Sequence, residues 1–452
     1  MVKWPSAPEY LPTRDVPIVT EDMRLYLKIL DEGNLSDLTF ALDDISKSRE
    51  KMAEGIRKHE RRCLQKLHAG HNMNRVVMPL IHSMPRHLIR AIVLGVTGPM
   101  RRADKGQSGL IHLNTYANDG PGCYVATMAV AGRGGRWLTG RELSELARLL
   151  EKYLDAEESY RLLQRGAKAT TKQVALGKFA KKVDRVYSSN PKPMMTLYVP
   201  KEKNRGKIEG LIRTLRSLAE GAHPKRAVSQ APAYVGCTKK TIEGRTRTYF
   251  PSSGYPGRGN YGWWLVMSCM ELMELPPDII ITPAVRIWEP GQLQSAEILV
   301  TLLAESLVED RGYNIAAPGT ATESMNHNYQ RDALAATHYR RWLFDNLEDS
   351  RAETRSRIEM LAHLNKGCFD VCREARHAAR DETDLVTEAD RAVSDMVDAL
   401  GEKRTLIEEG VDKWKDRAIQ LHAIQTTMEE MCDMASSLQG RRPGRVDLNN
   451  AL

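Results

Sequence analysis

The chain has 452 residues, 42% of them apolar, 27% charged and 6% aromatic, and its 66 Lys and Arg against 58 Asp and Glu give a net charge of +8. That length allows two or three domains, the composition excludes a disordered chain, and no apolar run is long enough to span a bilayer. Seven scattered cysteines without a CxxC pair exclude a disulfide framework and a zinc ribbon. The first residues lack the apolar segment of a secretion signal. An intracellular protein, cytoplasmic or nuclear, is expected. With only 5 Phe but 19 Met, its cores should be Leu, Ala, Met and Val packed between helices.

In chain order, Glu21 to His68 has helical texture, broken at Gly33-Asn34 and increasingly basic toward its end. Residues 76–98 read as a buried helix pair interrupted by Pro79 and Pro85. Two strand-like runs flank the turn Asn118-Asp119-Gly120-Pro121-Gly122, predicting a β-hairpin over 109–131. A glycine-rich loop, Gly132 to Gly135, leads to Thr139-Gly140-Arg141-Glu142, a capping box that opens a helix. The loop lacks the spacing and lysine of a P-loop. A basic helical stretch covers 161–189, and the Ser/Asn/Pro run after Tyr187 marks a boundary.

Beyond it, strand-like Met194 to Val199, an amphipathic helix over 207–220, a strand at Tyr234, a short helix with Arg245, a helix over 263–273, a strand over 278–288 and a helix over 292–309 form an α/β unit. From 329 to 438 the apolar residues fall at three and four spacing, as at Ile358, Leu361 and Leu364, predicting a long-helix hairpin or coiled-coil arm. A basic tail, 439–452, closes the chain. The expected class is therefore α+β and predominantly helical. It divides into a helical N-terminal domain (1–189), an α/β domain with a small mixed three-stranded sheet (190–328), the arm and the tail.

Charge is uneven. Residues 161–250 hold 21 Lys and Arg against 5 Asp and Glu, a local balance of +16, while the remainder is net −8. Such a region attracts phosphate backbones through counterion release, although a run of lysines is also an ordinary solvated face.

Within that region Tyr234-Val235-Gly236 ends a strand, Arg245 follows on a helix, and Tyr249 lies one turn later on the same face. About sixty residues on comes Glu305, followed by Gly312-Tyr313-Asn314. The set resembles the core of the GIY-YIG nuclease superfamily, over roughly residues 190–320. The resemblance implies a phosphodiester-cleaving site on a three-stranded sheet. Glu305 would hold one Mg2+ or Mn2+ ion as a hard carboxylate ligand, and Arg245 would clamp the scissile phosphate. Tyr234 would position or deprotonate the water, and Tyr249 would stand at the family's His/Tyr position. Since a phenol has a reference pKa near 10, the base role needs Arg245 and the metal to depress it.

Asn314 would anchor backbone or substrate, and Lys239, Lys240 and Arg247 would contact phosphates. The family's first strand ends Gly-Ile-Tyr about ten residues before the second. Here Tyr198 stands for that tyrosine and implies an insertion of some thirty residues. Glu297, two turns earlier on the same helix, is an alternative to Glu305 as metal ligand. The ordinary readings are a strand core residue for Tyr234, a surface charge for Arg245 and a solvated carboxylate for Glu305.

The functional expectation is a nucleic-acid-binding protein, a nuclease of this type or an inactive derivative, with DNA or RNA as partner and self-association through the C-terminal helices. The alternative is a structural packaging protein, such as a viral coat or nucleocapsid protein with helical assembly arms. The two differ on whether Tyr234, Arg245 and Glu305 converge on one cleft.

Overall fold

The computed structural model describes residues 16–42, 76–103, 116–187, 198–319 and 341–381, apart from 165–167, 169, 200–201, 254–259, 290, 309 and 316–317, together with most positions of 417–433. It divides into two compact units, Met1–Leu343 and Phe344–Leu452.

The first unit opens with α1 (Glu21–Glu32), α2 (Met78–His82), α3 (Arg86–Leu94) and α4 (Thr97–Ala103), and then strand β1 (Gly122–Val130). Three helices follow, α5 (Gly140–Gln164), α6 (Thr171–Asp184) and α7 (Glu202–Gly221), before β2 (Ala233–Thr238) and the short α8 (Ile242–Thr246). Helix α9 (Tyr261–Leu272), strand β3 (Pro277–Arg286) and α10 (Gln292–Leu303) come next among the described residues. Several boundaries follow from local chemistry. Thr139 and Glu142 cap α5 reciprocally, with Thr139 N–H donating to the Glu142 carboxylate at 2.8 Å and Glu142 N–H to Thr139 Oγ1 at 3.3 Å. Pro85 precedes α3, and Gly95 closes it in the left-handed conformation.

The three strands form one sheet in the order β2-β1-β3, antiparallel throughout. The mixed sheet expected over 190–328 is therefore corrected in two respects. Its central strand comes from 122–130, across the boundary placed near 190, and no pair is parallel. The hairpin over 109–131 is corrected as well, because β1 pairs with β2 and β3, both more than a hundred residues away. The hairpin's first arm and most of the strand expected at 194–199 lie outside the described residues.

All nine residues of β1 are buried, because both faces of the sheet are covered. Side chains alternate across a strand. Cys123 and Val125, with Ala233 and Val235 of β2 and Val285 of β3, pack among residues of α1, α3 and α10. Tyr124, Ala126, Met128 and Val130 face the other way, into a layer built from α5, α7 and α9 that also buries Trp263 and Trp264. The sheet is thus the middle of three layers, which explains why its central strand is apolar without alternation.

The second unit is helical where described. Helix α11 (Arg341–Asp381) supplies its first part, and Arg351 pairs with Glu429 at 3.6 Å, joining that helix to the 417–433 segment. The break expected near Gly401 and the tail at 439–452 lie outside the described residues. Among the described residues no helix is long and apolar enough to cross a membrane.

Candidate functional site

Three tyrosines and one arginine meet at the β2 side of the sheet. Tyr124 and Tyr234 leave the same face of adjacent strands, because Tyr124 stands opposite Gly236 and Ala126 opposite Tyr234. The absence of a side chain at Gly236 is required there. A Cβ at that position would lie 2.5 Å from Tyr124 Oη and 2.7 Å from Cζ, so the Tyr124 phenol occupies the space that any other residue would fill. Gly122 is confined in the same way, since a Cβ there would lie 2.5 Å from the Val285 carbonyl oxygen.

Helix α8 is held against the turn preceding β1. Ile242 N–H donates to the Gly120 carbonyl at 3.2 Å and Glu243 N–H to that of Asn118 at 3.0 Å, while Arg286 secures Asp119 of the same turn at 2.8 Å. These contacts aim the end of α8 and the 3-10 turn Arg247–Tyr249 over the sheet. Tyr249 and Tyr124 share a hydrogen bond of 2.8 Å between their hydroxyls, and the Tyr234 ring meets that of Tyr249 edge-on at 5.3 Å between centroids. Trp263, in the first turn of α9, backs both rings at 6.4 and 5.8 Å. Arg245 is exposed to solvent as a residue, yet its guanidinium hydrogen-bonds Tyr124 and lies in the field of all three phenols.

The electrostatics constrain the chemistry. Burial pushes the Tyr234 hydroxyl well above the ordinary tyrosine value, the neighbouring Tyr249 adds to that, and Arg245 pulls it down by less. Tyr249 and Tyr124 are raised in the same direction, again by burial first. All three phenols are therefore neutral at ordinary pH, and Arg245 does not make Tyr234 a base. Each remains a hydrogen-bond donor and acceptor.

A carboxylate approaches from the opposite face. Glu297, on the second turn of α10, is half-buried, accepts a hydrogen bond from Gly319 N–H at 2.7 Å, and receives the Cys237 thiol proton as a hydrogen bond. Burial and the Glu297 charge keep that thiol protonated. The Glu297 charge also reaches Tyr234 and Cys123. Residues of β1, β2 and the α8 segment thus meet on one face of the sheet, and Glu297 of α10 acts on them from the other through its charge.

Other residues singled out in the sequence are placed elsewhere. Glu305, just past the end of α10, accepts from Arg311 Nε at 2.6 Å through one oxygen and from the Thr20 hydroxyl at 2.6 Å through the other. It is 9% exposed and adopts a positive φ of 43°, so both oxygens serve an internal tie between α10, α1 and the 311 turn. Tyr198 lies in the α5/α9 layer, bonded to Ser268 at 2.9 Å and packed on Tyr153, away from the Arg245 cluster. The Asn314 amide reaches along the free edge of β2, accepting from Val235 N–H and donating to the Val235 carbonyl, each at 2.7 Å. Of the two roles foreseen for Asn314, it performs that of backbone anchor, and its polar atoms are committed there. Lys239 and Lys240 are exposed at the end of β2, and Arg247 is exposed and paired with Glu243 at 2.7 Å.

Sequence reasoning did not single out Tyr124 or Cys237. A signal for the first was present, since Gly122-Cys123-Tyr124 has the Gly-X-Tyr form sought ahead of Tyr234. It stands 110 positions upstream rather than about ten, with α5, α6 and α7 in between. Comparison with family models, characterised proteins and solved structures finds no match to this chain.

Proposed function

We propose that the chain binds nucleic acid and cleaves phosphodiester bonds with a site of the GIY-YIG kind, in which Gly122-Cys123-Tyr124 and Tyr234-Val235-Gly236 are the paired strand motifs. The observation that carries this reading is the convergence of Tyr124, Tyr234, Tyr249 and Arg245 on one face of the sheet, with the charge of Glu297 reaching Tyr234 from the other face. A packaging protein gains nothing from gathering these groups. In this reading Tyr124 takes the place considered for Tyr198, and Glu297 the place considered for Glu305.

Arg245 presents its guanidinium to the non-bridging oxygens of the scissile phosphate and offsets the charge that builds there. Tyr234, neutral and half-buried, orients an attacking water by hydrogen bonding rather than by removing its proton. Glu297 is the ligand suited to Mg2+ or Mn2+. Among the described residues no group of three or more His, Cys, Asp or Glu could hold a metal ion, and Mg2+ bound through one carboxylate, with water and phosphate oxygens completing its shell, fits that donor set. The ion when bound supplies Lewis acidity and an activated water.

The test is nicking of plasmid DNA and of structured RNA by the pure protein with Mg2+ or Mn2+. Cleavage is expected in the wild type and lost in Arg245→Ala and Glu297→Gln. Binding without any cleavage in the wild type would reject the nuclease reading and leave a nucleic-acid-binding or packaging protein.

Self-association is proposed for the second unit, because Met360, Leu364 and Val371 are 59–65% exposed along α11 and fall at the three-and-four spacing of a helical seam. Leu364→Glu with Val371→Glu in the full chain is expected to reduce the sedimenting species to a monomer. An unchanged stoichiometry would remove this part of the proposal.

A further inference from the structure

A second surface of the first unit carries charge and a hollow that the tyrosine–arginine site does not use. Lys172, Lys178, Lys181 and Lys182 of α6 are exposed, as is Arg185 just beyond it. The only acid in that helix, Asp184, is buried and accepts the Tyr153 hydroxyl at 2.5 Å, so every exposed charge on α6 is a cation.

Beside that face a cavity of about 470 Å³ opens between α5, α6 and the end of α9. Its apolar wall is Leu149, Phe179, Leu272, Met273 and Leu275, and its basic groups are Arg141 and Lys182. Two carboxylates also line it, but each is already engaged. Arg133 holds Glu142 through two hydrogen bonds of 2.7 and 2.8 Å, and Arg148 holds Glu145. Lys152 lies 4.4 Å from the centroid of the Phe179 ring, adding a further cation and fixing that ring. The hollow therefore combines an aromatic ring, aliphatic walls and surplus positive charge, beside a row of lysines.

We infer that this cavity and the outer face of α6 form a binding site for single-stranded nucleic acid, with a base seated against Phe179 and the backbone running along Lys178, Lys181 and Lys182. Proteins that hold single strands combine a cationic track with an aromatic platform. An acidic polypeptide without aromatic residues would use the track but has no flat ring to place in the hollow. The inference rests on the reading that the ligand of this chain is nucleic acid, and it does not depend on cleavage.

Helix α9 connects the two places. Trp263 in its first turn supports Tyr234 and Tyr249, whereas Leu272 at its end lines the cavity. Nine residues at a rise of about 1.5 Å separate them by roughly 14 Å along the helix.

The experiment is fluorescence anisotropy with labelled oligothymidylate and the full chain in metal-free buffer, over a salt series. Lys178→Glu with Lys181→Glu and Lys182→Glu should weaken binding at least tenfold. The slope of log affinity against log salt should fall by about 2, from three contacts at about 0.7 each. Phe179→Ala should weaken single-strand binding about tenfold and leave duplex binding unchanged, a split that mere loss of charge does not produce. Lys28→Glu, at an exposed lysine of α1 outside both sites, should bind as the wild type does. Unchanged affinity and slope in the triple variant would overturn the site, and so would competition by polyglutamate as effective as that by unlabelled oligonucleotide. If the wild type fails to cleave and the triple variant still loses binding, this site stands and the nuclease reading alone falls.

Discussion

Helix α10 delivers two glutamates, eight residues apart, into opposite circumstances. At its far end Glu305 has both oxygens bound by Arg311 and Thr20, and the neighbouring Asn314 is equally committed to Val235. In its second turn Glu297 is only half-buried and shares the field of Tyr234 beside the solvent-accessible Arg245. The difference teaches that a carboxylate's type and position on a helix do not decide its role. What differs is the partner: Glu305 ties Arg311 to Thr20 in a nearly buried junction, whereas the half-buried Glu297 accepts from the Gly319 N–H and the Cys237 thiol.

The largest separation between the two regions should appear on replacing Arg245 or Glu297 with Ala. We predict a fall in cleavage rate of at least 10³-fold, the scale seen when a group stabilising transition-state charge is removed, with the thermal midpoint little changed. The reverse pattern is predicted for Glu305→Ala, which strands the Arg311 charge at 10% side-chain exposure. Stability should fall by about 3–5 kcal/mol in urea titration, while the folded fraction keeps its rate per active molecule. Cleavage surviving Glu297→Ala and lost in a fully folded Glu305→Ala would invert the comparison.

Gly236→Ala tests the packing beneath the active cluster, because the new methyl must displace the Tyr124 phenol. A destabilisation of about 1–3 kcal/mol is expected, together with a loss of cleavage larger than the unfolded fraction explains. A pH titration sharpens the same point. Burial raises the phenols of Tyr124, Tyr234 and Tyr249, so above pH 10 the unfolded chain releases protons that the folded chain retains. Stability is then fully present below about pH 10 and declines as pH rises past it, with phenolate absorbance lagging that of the unfolded protein. Tyr249→Phe, which removes one hydrogen bond from Tyr124, should have the smallest effect, about 1 kcal/mol in stability.

Much of the helical framework was legible because its signals are local. The box at Thr139 and Glu142, the prolines at 79 and 85 and the apolar run from Trp263 all predict elements that are present. The α/β nature of the central region was legible as well, and Tyr234, Arg245 and Tyr249 do meet. The partner of Tyr234 was not legible, because strand pairing is non-local. Nothing near Gly122 announces that β1 pairs across 110 residues with β2 rather than with the run at 109–116. The same gap made Tyr198 the nearest upstream tyrosine. Glu305 and Arg311 sit in one local run, but the third member of their tie, Thr20, is 285 residues away, so their commitment could not be read from spacing.

Asn314 has a consequence beyond holding β2 in place. An unpaired strand edge presents alternating donors and acceptors to any extended chain that drifts against it. On β2 the Val235 pair of groups is taken by a side-chain amide that cannot propagate a ladder, and the neighbouring Ala233 carbonyl is taken by Tyr313 N–H. At Ala233 and Val235 this edge is closed to a further strand, which disfavours the sheet beside the Tyr234 cluster as a template on which crowded copies of the chain stack into fibres.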